Sequence, residues 1–309
     1  MNDSTENILP PARAKILPGA PEHTVGWRNF LTAVIALTAA FSVPLYQLVR
    51  FALQSELFSH VLLVPFISAY LVWLKRGVLP PFSRPDHRLA VLPFVAGGAL
   101  LVIRFTSSLE AEDALAFTTL AFVLLFVGIC TLFLGRQTLR ALAFPLCFLV
   151  FMAPFPTAVT DWIEIALQKW SASVAYLFFK VGGTTVFREA NFFQLPGMKL
   201  IVAQECSGIH STLALFITSL LAGHFFLRSP WKRVALALVV IPLALLRNGF
   251  RVFVIGELCV RIGPQMIDSY IHRHGGPIFF ALSLIPFFLI LWLLRKSERL
   301  PSESASATP

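Results

Sequence analysis

The sequence predicts an all-α polytopic membrane protein of about eight transmembrane helices, with an amphipathic helix and a short β-hairpin on its outer face. Three observations lead there. Of 309 residues, 57% are hydrophobic and 13% are charged, where soluble domains carry about 25% charged residues. The apolar residues are gathered into runs that reach or approach the roughly 20 residues a helix needs to cross a bilayer. Lys and Arg collect at the ends of those runs, as membrane topology requires.

The net charge of +9 therefore does not point to nucleic acid. The cations are spread over the ends of several runs, and no single basic patch forms.

Taken in order, residues 1–26 are rich in proline, polar residues and charge, and read as a flexible cytoplasmic tail. The first apolar run, "FLTAVIALTAAFSVPLYQLV", is longer than a signal-peptide core and has weak cleavage features, so it is expected to remain as a span. Spans are expected at 28–49, 58–75, 89–105, 114–134, 140–155, 206–227, 232–254 and 277–295. The second, third and fifth are short. Residues 27–298 form the transmembrane domain, and 299–309, including "PSESASATP", a second flexible cytoplasmic tail. No internal repeat is evident.

Basic loops alternate with basic-poor ones. "KRGVLPPFSRPDHR", "GRQTLR", "RSPWKR" and "RKSER" are assigned to the cytoplasm with both termini. "SSLEAEDA" and the long segment 156–205 then face outward, together with the head of span six, the tail of span seven and the loop before span eight.

Within the long outer segment, Trp162, Ile165, Ala166, Trp170 and Val174 recur at helical spacing among Asp161, Glu164, Gln168 and Lys169. That pattern predicts an amphipathic helix in the interface, tryptophans at headgroup level; a tilted span is the alternative. The following "TTVFREANFFQLPGMKLIVAQE" has β-branched and aromatic residues around turn signals at Ala190-Asn191 and Pro196-Gly197, and predicts short hairpin strands.

Three polar clusters fall at the outer ends of spans, where charged groups are costly unless paired or facing a cavity. They are "ECSGIHS" with Glu205, Cys206 and His210, "LLRNGFRVF" with Arg247, Asn248 and Arg251, and "YIHRHGGPIFF" with His272 and His274. Cys206 and His210, four apart, would share a helix face. A cysteine at a helix N-terminus is placed to form a thiolate, since the helix dipole favours the anion. Thiolate, imidazole and guanidinium are the parts of a thiol-based acyl transfer.

Each cluster also has a structural reading. Cys206 could be a packing residue or pair with Cys259, the arginines could snorkel to headgroups, and the histidines could be interfacial. Cys130 and Cys147 lie in apolar runs and read as packing residues. No third ligand stands near His272 and His274, so no metal is expected, and no cofactor is indicated.

At these residues the chain resembles the exosortase/archaeosortase family, polytopic membrane cysteine transpeptidases of prokaryotes. The resemblance covers about residues 55–295. It rests on "SHVLLVPFISAYLVW", "FMAPFPTAVTDWIEIALQ" and the ordered set "ECSGIHS", Asn248-x-x-Arg251 and His272-x-x-x-Gly276. It implies Cys206 as nucleophile, Arg251 as oxyanion-stabilising or substrate-positioning group and His272 as general acid/base, with His210, Arg247, Asn248, His274 and Glu205 as possible accessory residues.

The resemblance further implies a location in the prokaryotic cytoplasmic (inner) membrane, with the active site on the outer face. The implied partners are membrane-anchored proteins bearing a C-terminal motif, a transmembrane helix and a basic tail, besides the lipid bilayer itself. A polytopic transporter with an anion site at Arg247 and Arg251, or an assembly subunit for polysaccharide export, is the alternative. In both, Cys206 would be dispensable.

Overall fold

The computed structural model describes residues 22–55, 57–77, 87–202, 207–268 and 275–299. It is an all-α polytopic membrane protein with one small antiparallel sheet. The helices are α1 (Glu22–Ala40), α2 (Ser42–Gln54), α3 (Val64–Lys75, after a 3-10 turn at Ser59–Leu62), α4 (His87–Thr106), α5 (Ala111–Ala141), α6 (Ala143–Phe148), α7 (Thr157–Val181), α8 (Ile209–Phe226), α9 (Pro230–Arg261) and α10 (Gly276–Arg299). The expected terminal tails fall mostly on residues 1–21 and 300–309, outside the described residues; helix already covers 22–26 and 299.

Among the described residues, α4, α5, α8, α9 and α10 are long and apolar enough to cross a membrane. Two bent pairs raise the number to seven. Gly26–Ala40 and Ser42–Gln54 meet at 63°, and Ala143–Met152 turns by 91° into Thr157–Val181. Eight straight spans were expected. The expected first span is thus bent, the fifth is a short helix that turns sharply, and Ser59–Lys75 is apolar but shorter than a full span. α5 has a break at Gly135, whose φ of 74° is non-helical, so its apolar stretch stops where "GRQTLR" begins.

The four basic segments gather at one end of the bundle. Lys75 Nζ donates to Ala141 O at 2.7 Å. His224 stacks on Phe144 with ring centroids 3.8 Å apart. The Glu298 carboxylate accepts the backbone N–H groups of Arg228 and Ser229, and Lys232 Nζ donates to Ser297 Oγ at 2.7 Å.

The opposite end begins with a capping arrangement. α7 starts after Pro156, which has no side-chain acceptor to offer, and no cap is made locally. Asp113, in the first turn of α5, supplies it from outside: Oδ1 accepts the Thr157 N–H at 2.7 Å and Oδ2 the Thr157 hydroxyl at 3.1 Å. Leu115, Met152 and Ile217 form one core cluster with Phe155 and Leu213 packed on it, so the starts of α5, α7 and α8 share this end.

α7 continues from there to pack on the C-terminal third of α9. A Cβ on Gly249 would come within 2.6 Å of Val174, and one on Gly256 within 2.4 Å of Phe179; only hydrogen at these positions allows the approach. Since Thr157 and the α7–α9 contact lie at the same end, α7 runs across that end. Trp162, Ile165 and Trp170 are exposed, and Leu167, Ala172, Ala175 and Phe179 are buried, so the helix is two-faced, as its helical spacing predicts.

The expected hairpin is present as three strands, β1 (Phe187–Glu189), β2 (Phe192–Leu195) and β3 (Met198–Ile201), in order β1-β2-β3. The register pairs Glu189 with Phe192 and Leu195 with Met198, which places both two-residue turns at the dipeptides read from sequence. Gly197 (φ 80°) takes the left-handed conformation that follows a turn proline. Phe193, Leu195 and Leu200 pack with Ala172, Ala175, Phe179 and Val252. The sheet is closed onto the helices by Gln168 Nε2 donating to Val202 O, and the Thr184 hydroxyl donates to Glu257.

Candidate active site at the head of α8

The site is built where α8 begins and α9 passes it. Gly208 caps α8 in the left-handed conformation, φ 73°. A Cβ there would stand 3.1 Å from Asn248 Oδ1 and 3.2 Å from Arg247 Nη2. Conformation and lack of room both demand glycine at this position.

The closeness is used for hydrogen bonding. Asn248 Nδ2 donates to Ser207 O at 3.2 Å. Arg247 Nη2 donates to Gly208 O and to Thr212 Oγ1, both at 3.3 Å. The Thr212 hydroxyl itself donates to Gly208 O at 2.8 Å, and the Ile209 N–H reaches Ser207 Oγ at 3.4 Å. Arg247, Asn248 and Ser207 are all buried. Two adjacent residues of α9 thus clamp the two peptide carbonyls that follow Cys206 in the chain.

Arg251 lies one turn beyond Arg247 on α9, half-buried, and the two guanidinium groups are close enough to repel each other. One is engaged with the head of α8. The other carries its charge to the same end of the bundle. Phe279, in the first turn of α10, packs edge-on against Phe250, ring centroids 6.3 Å apart, so the start of α10 meets α9 at this level. The described parts of all three sequence clusters therefore converge.

His210 sits in the first turn of α8, exposed, and is an electrostatic neighbour of His60. His60, whose Nδ1 lies 3.0 Å from Leu57 O, was not among the expected site residues; its signal in the sequence was the "SHVLLVPF" stretch. Gly208, Thr212 and Asp113 were likewise not singled out. Cys206, Glu205, His272 and His274 lie outside the described residues.

Cys259 is a buried free thiol, so the expected alternative of a Cys206–Cys259 disulfide has no support. Cys130 is buried, as a packing residue should be, but Cys147 is exposed: it sits on the outer side of α6, where an apolar run faces away from the core. No group of three or more potential metal ligands occurs among the described residues.

A polar-walled cavity of about 510 Å³ opens at this end of the bundle, between Gln54, Ser55, Glu112, Thr157, Thr160 and Asp161.

A family model described as transmembrane exosortase matches residues 52–289, which take in every residue of the site. No curated protein and no solved structure matches the chain.

Proposed function

The chain belongs to the transmembrane exosortase family, and from that premise we propose that it is a membrane-embedded cysteine transpeptidase or endopeptidase. It cleaves a C-terminal sorting signal of exported proteins through a thioester on Cys206 and passes them to an acceptor on the outer side. The observation that carries this reading is the clamp of Arg247 and Asn248 on the carbonyls of Ser207 and Gly208. A nucleophile must be held in place by rigid surroundings, and here the residues following Cys206 are fixed from a second helix.

In the proposed reaction the Cys206 thiolate attacks the scissile carbonyl carbon. The helix dipole of α8 favours the thiolate. The negative charge that develops on the carbonyl oxygen is stabilised by the Arg251 guanidinium. His272, as imidazolium, protonates the leaving amine when the C–N bond breaks. A nucleophile of the acceptor then attacks the thioester carbonyl, gives up its proton to His272, and releases the Cys206 thiolate.

Geometry also supports a division of labour between the two arginines. Arg247 acts as the clamp on the head of α8, and Arg251, one turn further along α9, is the arginine assigned to the substrate. The substrate's own anchoring helix would lie among the spans, with its basic tail beyond the basic end of the bundle. If that end is cytoplasmic, as the positive-inside rule requires, the site faces outward in the inner membrane. α7 and the sheet cross this end and would limit water at the thioester, favouring transfer over hydrolysis.

The test is labelling of intact cells with a membrane-impermeant thiol reagent, comparing wild type with Cys206→Ala. Labelling that depends on Cys206 and persists at about pH 6, well below the ordinary thiol pKa of about 8.5, is the expected result. Labelling only after permeabilisation would invert the topology. No Cys206-dependent labelling in either state, under reductant, would remove the enzyme reading.

A further inference from the structure

The end of the bundle away from the site holds a second constellation. Lys75, His224 and Arg233, from α3, α8 and α9, lie together: Lys75 reaches Ala141 O, His224 stacks on Phe144 in the next turn, and the Arg233 side chain lies against Gly223, beside His224. None has a carboxylate partner; among the described residues the one ion pair joins Arg261 to Glu257. Glu298, the nearby acid, is taken by the N–H groups of Arg228 and Ser229. Lys75 and Arg233 are each held by a single backbone carbonyl, Ala141 O at 2.7 Å and Leu227 O at 2.9 Å, which leaves most of their donors unused. The Nδ1 of His224 is buried with no hydrogen-bond partner among the described residues. Two cations and an imidazole meet here with no carboxylate paired to them among the described residues.

Beside them lies a cavity of about 690 Å³ between α1, α3, α5 and α6, walled by Phe30, Val72, Phe126 and Leu146 among others. Ser68 and Thr138 also line it. Both are at least nine-tenths buried, at 4% and 2% exposure, and their hydroxyls have no hydrogen-bond partner among the described residues. The cavity and the basic cluster are neighbours along the same helices. Ser68, Val72 and Lys75 follow one another along one face of α3, and Ala141, which holds Lys75, lies between the cavity-lining Thr138 and Leu142 of the adjacent wall. Phe144, under His224, is in the next turn.

The size of the cavity selects its occupant. The volume is that of a small-molecule site. An unpartnered hydroxyl in apolar walls suits an ester or ether oxygen on an otherwise apolar chain.

We propose that Lys75, His224 and Arg233 bind the phosphate of an anionic phospholipid whose chain enters the cavity past Ser68 and Thr138. Basic pockets between transmembrane helices recognise lipid headgroups in this way. A zwitterionic headgroup brings its own ammonium to two cations and is disfavoured. The site is separate from the catalytic one, and its failure would leave the transpeptidase reading untouched.

The test uses the full chain in detergent, with native mass spectrometry after addition of phosphatidylglycerol or phosphatidylcholine of the same chains. Wild type should retain phosphatidylglycerol preferentially, and the Lys75→Ala/Arg233→Ala double variant should lose that preference by on the order of tenfold. Ser68→Leu, which fills the cavity and leaves every cation in place, should weaken retention of both lipids. Equal retention of the two lipids by wild type, or unchanged retention by both variants, overturns the proposal. A thermal-shift arm with inorganic phosphate alone separates headgroup from lipid: stabilisation equal to that by phosphatidylglycerol would mean a plain anion site and overturn the lipid assignment.

Discussion

Asn248 and Ser207 stand 41 residues apart in the chain, yet the side-chain amide of one donates to the backbone carbonyl of the other at 3.2 Å. Through that bond the head of α8 is referenced to α9. Asn248→Ala removes the donor and leaves a buried carbonyl unsatisfied, a loss of about 1–2 kcal/mol for a polar contact between membrane helices. Asn248→Asp, the same shape with the donor replaced by an acceptor, should do at least as badly. Thermal unfolding in detergent measures the first effect, and the rate of Cys206 labelling measures how far the nucleophile has loosened.

Gly208 separates backbone strain from crowding. Gly208→Ala forces a left-handed φ on an L-residue, at about 1–3 kcal/mol, and sets a methyl 3.1 Å from Asn248 Oδ1. Gly208→Asn tolerates the conformation better but needs more room. If crowding dominates, the Asn variant is the less stable of the two; if strain dominates, the order reverses. The clamp geometry favours the first order, and paired melting curves decide it.

The two arginines should fail differently. Arg247→Ala breaks the bonds to Gly208 and Thr212 and should lower stability along with processing. Arg251→Ala should leave the melting temperature near wild type while processing of a sorting-signal substrate falls by roughly 10²–10³, the scale of a lost oxyanion donor. An Arg251 variant that loses stability and activity together would move it into the structural class.

The α7–α9 contact predicts a suppressor. Gly256→Ala places a methyl where Phe179 Cζ stands 2.4 Å away, an overpacking that costs typically 1–3 kcal/mol. Adding Phe179→Leu opens the space and should restore part of the stability. Absence of any rescue in the double variant would show that the contact is not the source of the loss.

The Asp113 cap can be read by hydrogen exchange. Asp113→Ala should raise exchange in the first turn of α7, residues 157–160, with about 1 kcal/mol lost, as for other removed caps. Asp113→Asn keeps a carbonyl oxygen for the Thr157 N–H and should be milder.

How much of this was legible in the sequence depends on the range of the interaction. The sheet turns at 190–191 and 196–197 were readable because turn chemistry is local: a Pro-Gly pair specifies its own backbone. The exposure of Trp162, Ile165 and Trp170 was readable because helical spacing is local too. The bend between Ala40 and Ser42 was passed over, although Ser42 and Pro44 interrupt the apolar run there and a proline is a local signal for a helix break. Cys147 was misread for a different reason. In a bilayer an apolar residue can face either core or lipid, and composition does not distinguish them. The clamp was half-legible: Arg247 and Asn248 drew attention as polar residues in a span, but their target is backbone, and a carbonyl leaves no mark in a sequence.

α9 runs as one helix from Arg233 past Pro242 to Arg251. With 32 residues it is roughly 48 Å long at about 1.5 Å per residue, well beyond the ~30 Å hydrocarbon thickness. Arg233 and Arg251 are 18 positions apart, roughly 27 Å of helix. The helix is therefore a gauge: the separation of Arg251 from Arg233 is fixed by residue count, and falls just within the ~30 Å hydrocarbon thickness. One inserted residue between them would lift Arg251 by about 1.5 Å and swing it through about 100°, out of register with the head of α8. On the proposed reading, the depth at which a substrate must display its scissile bond is written into the length of a single helix.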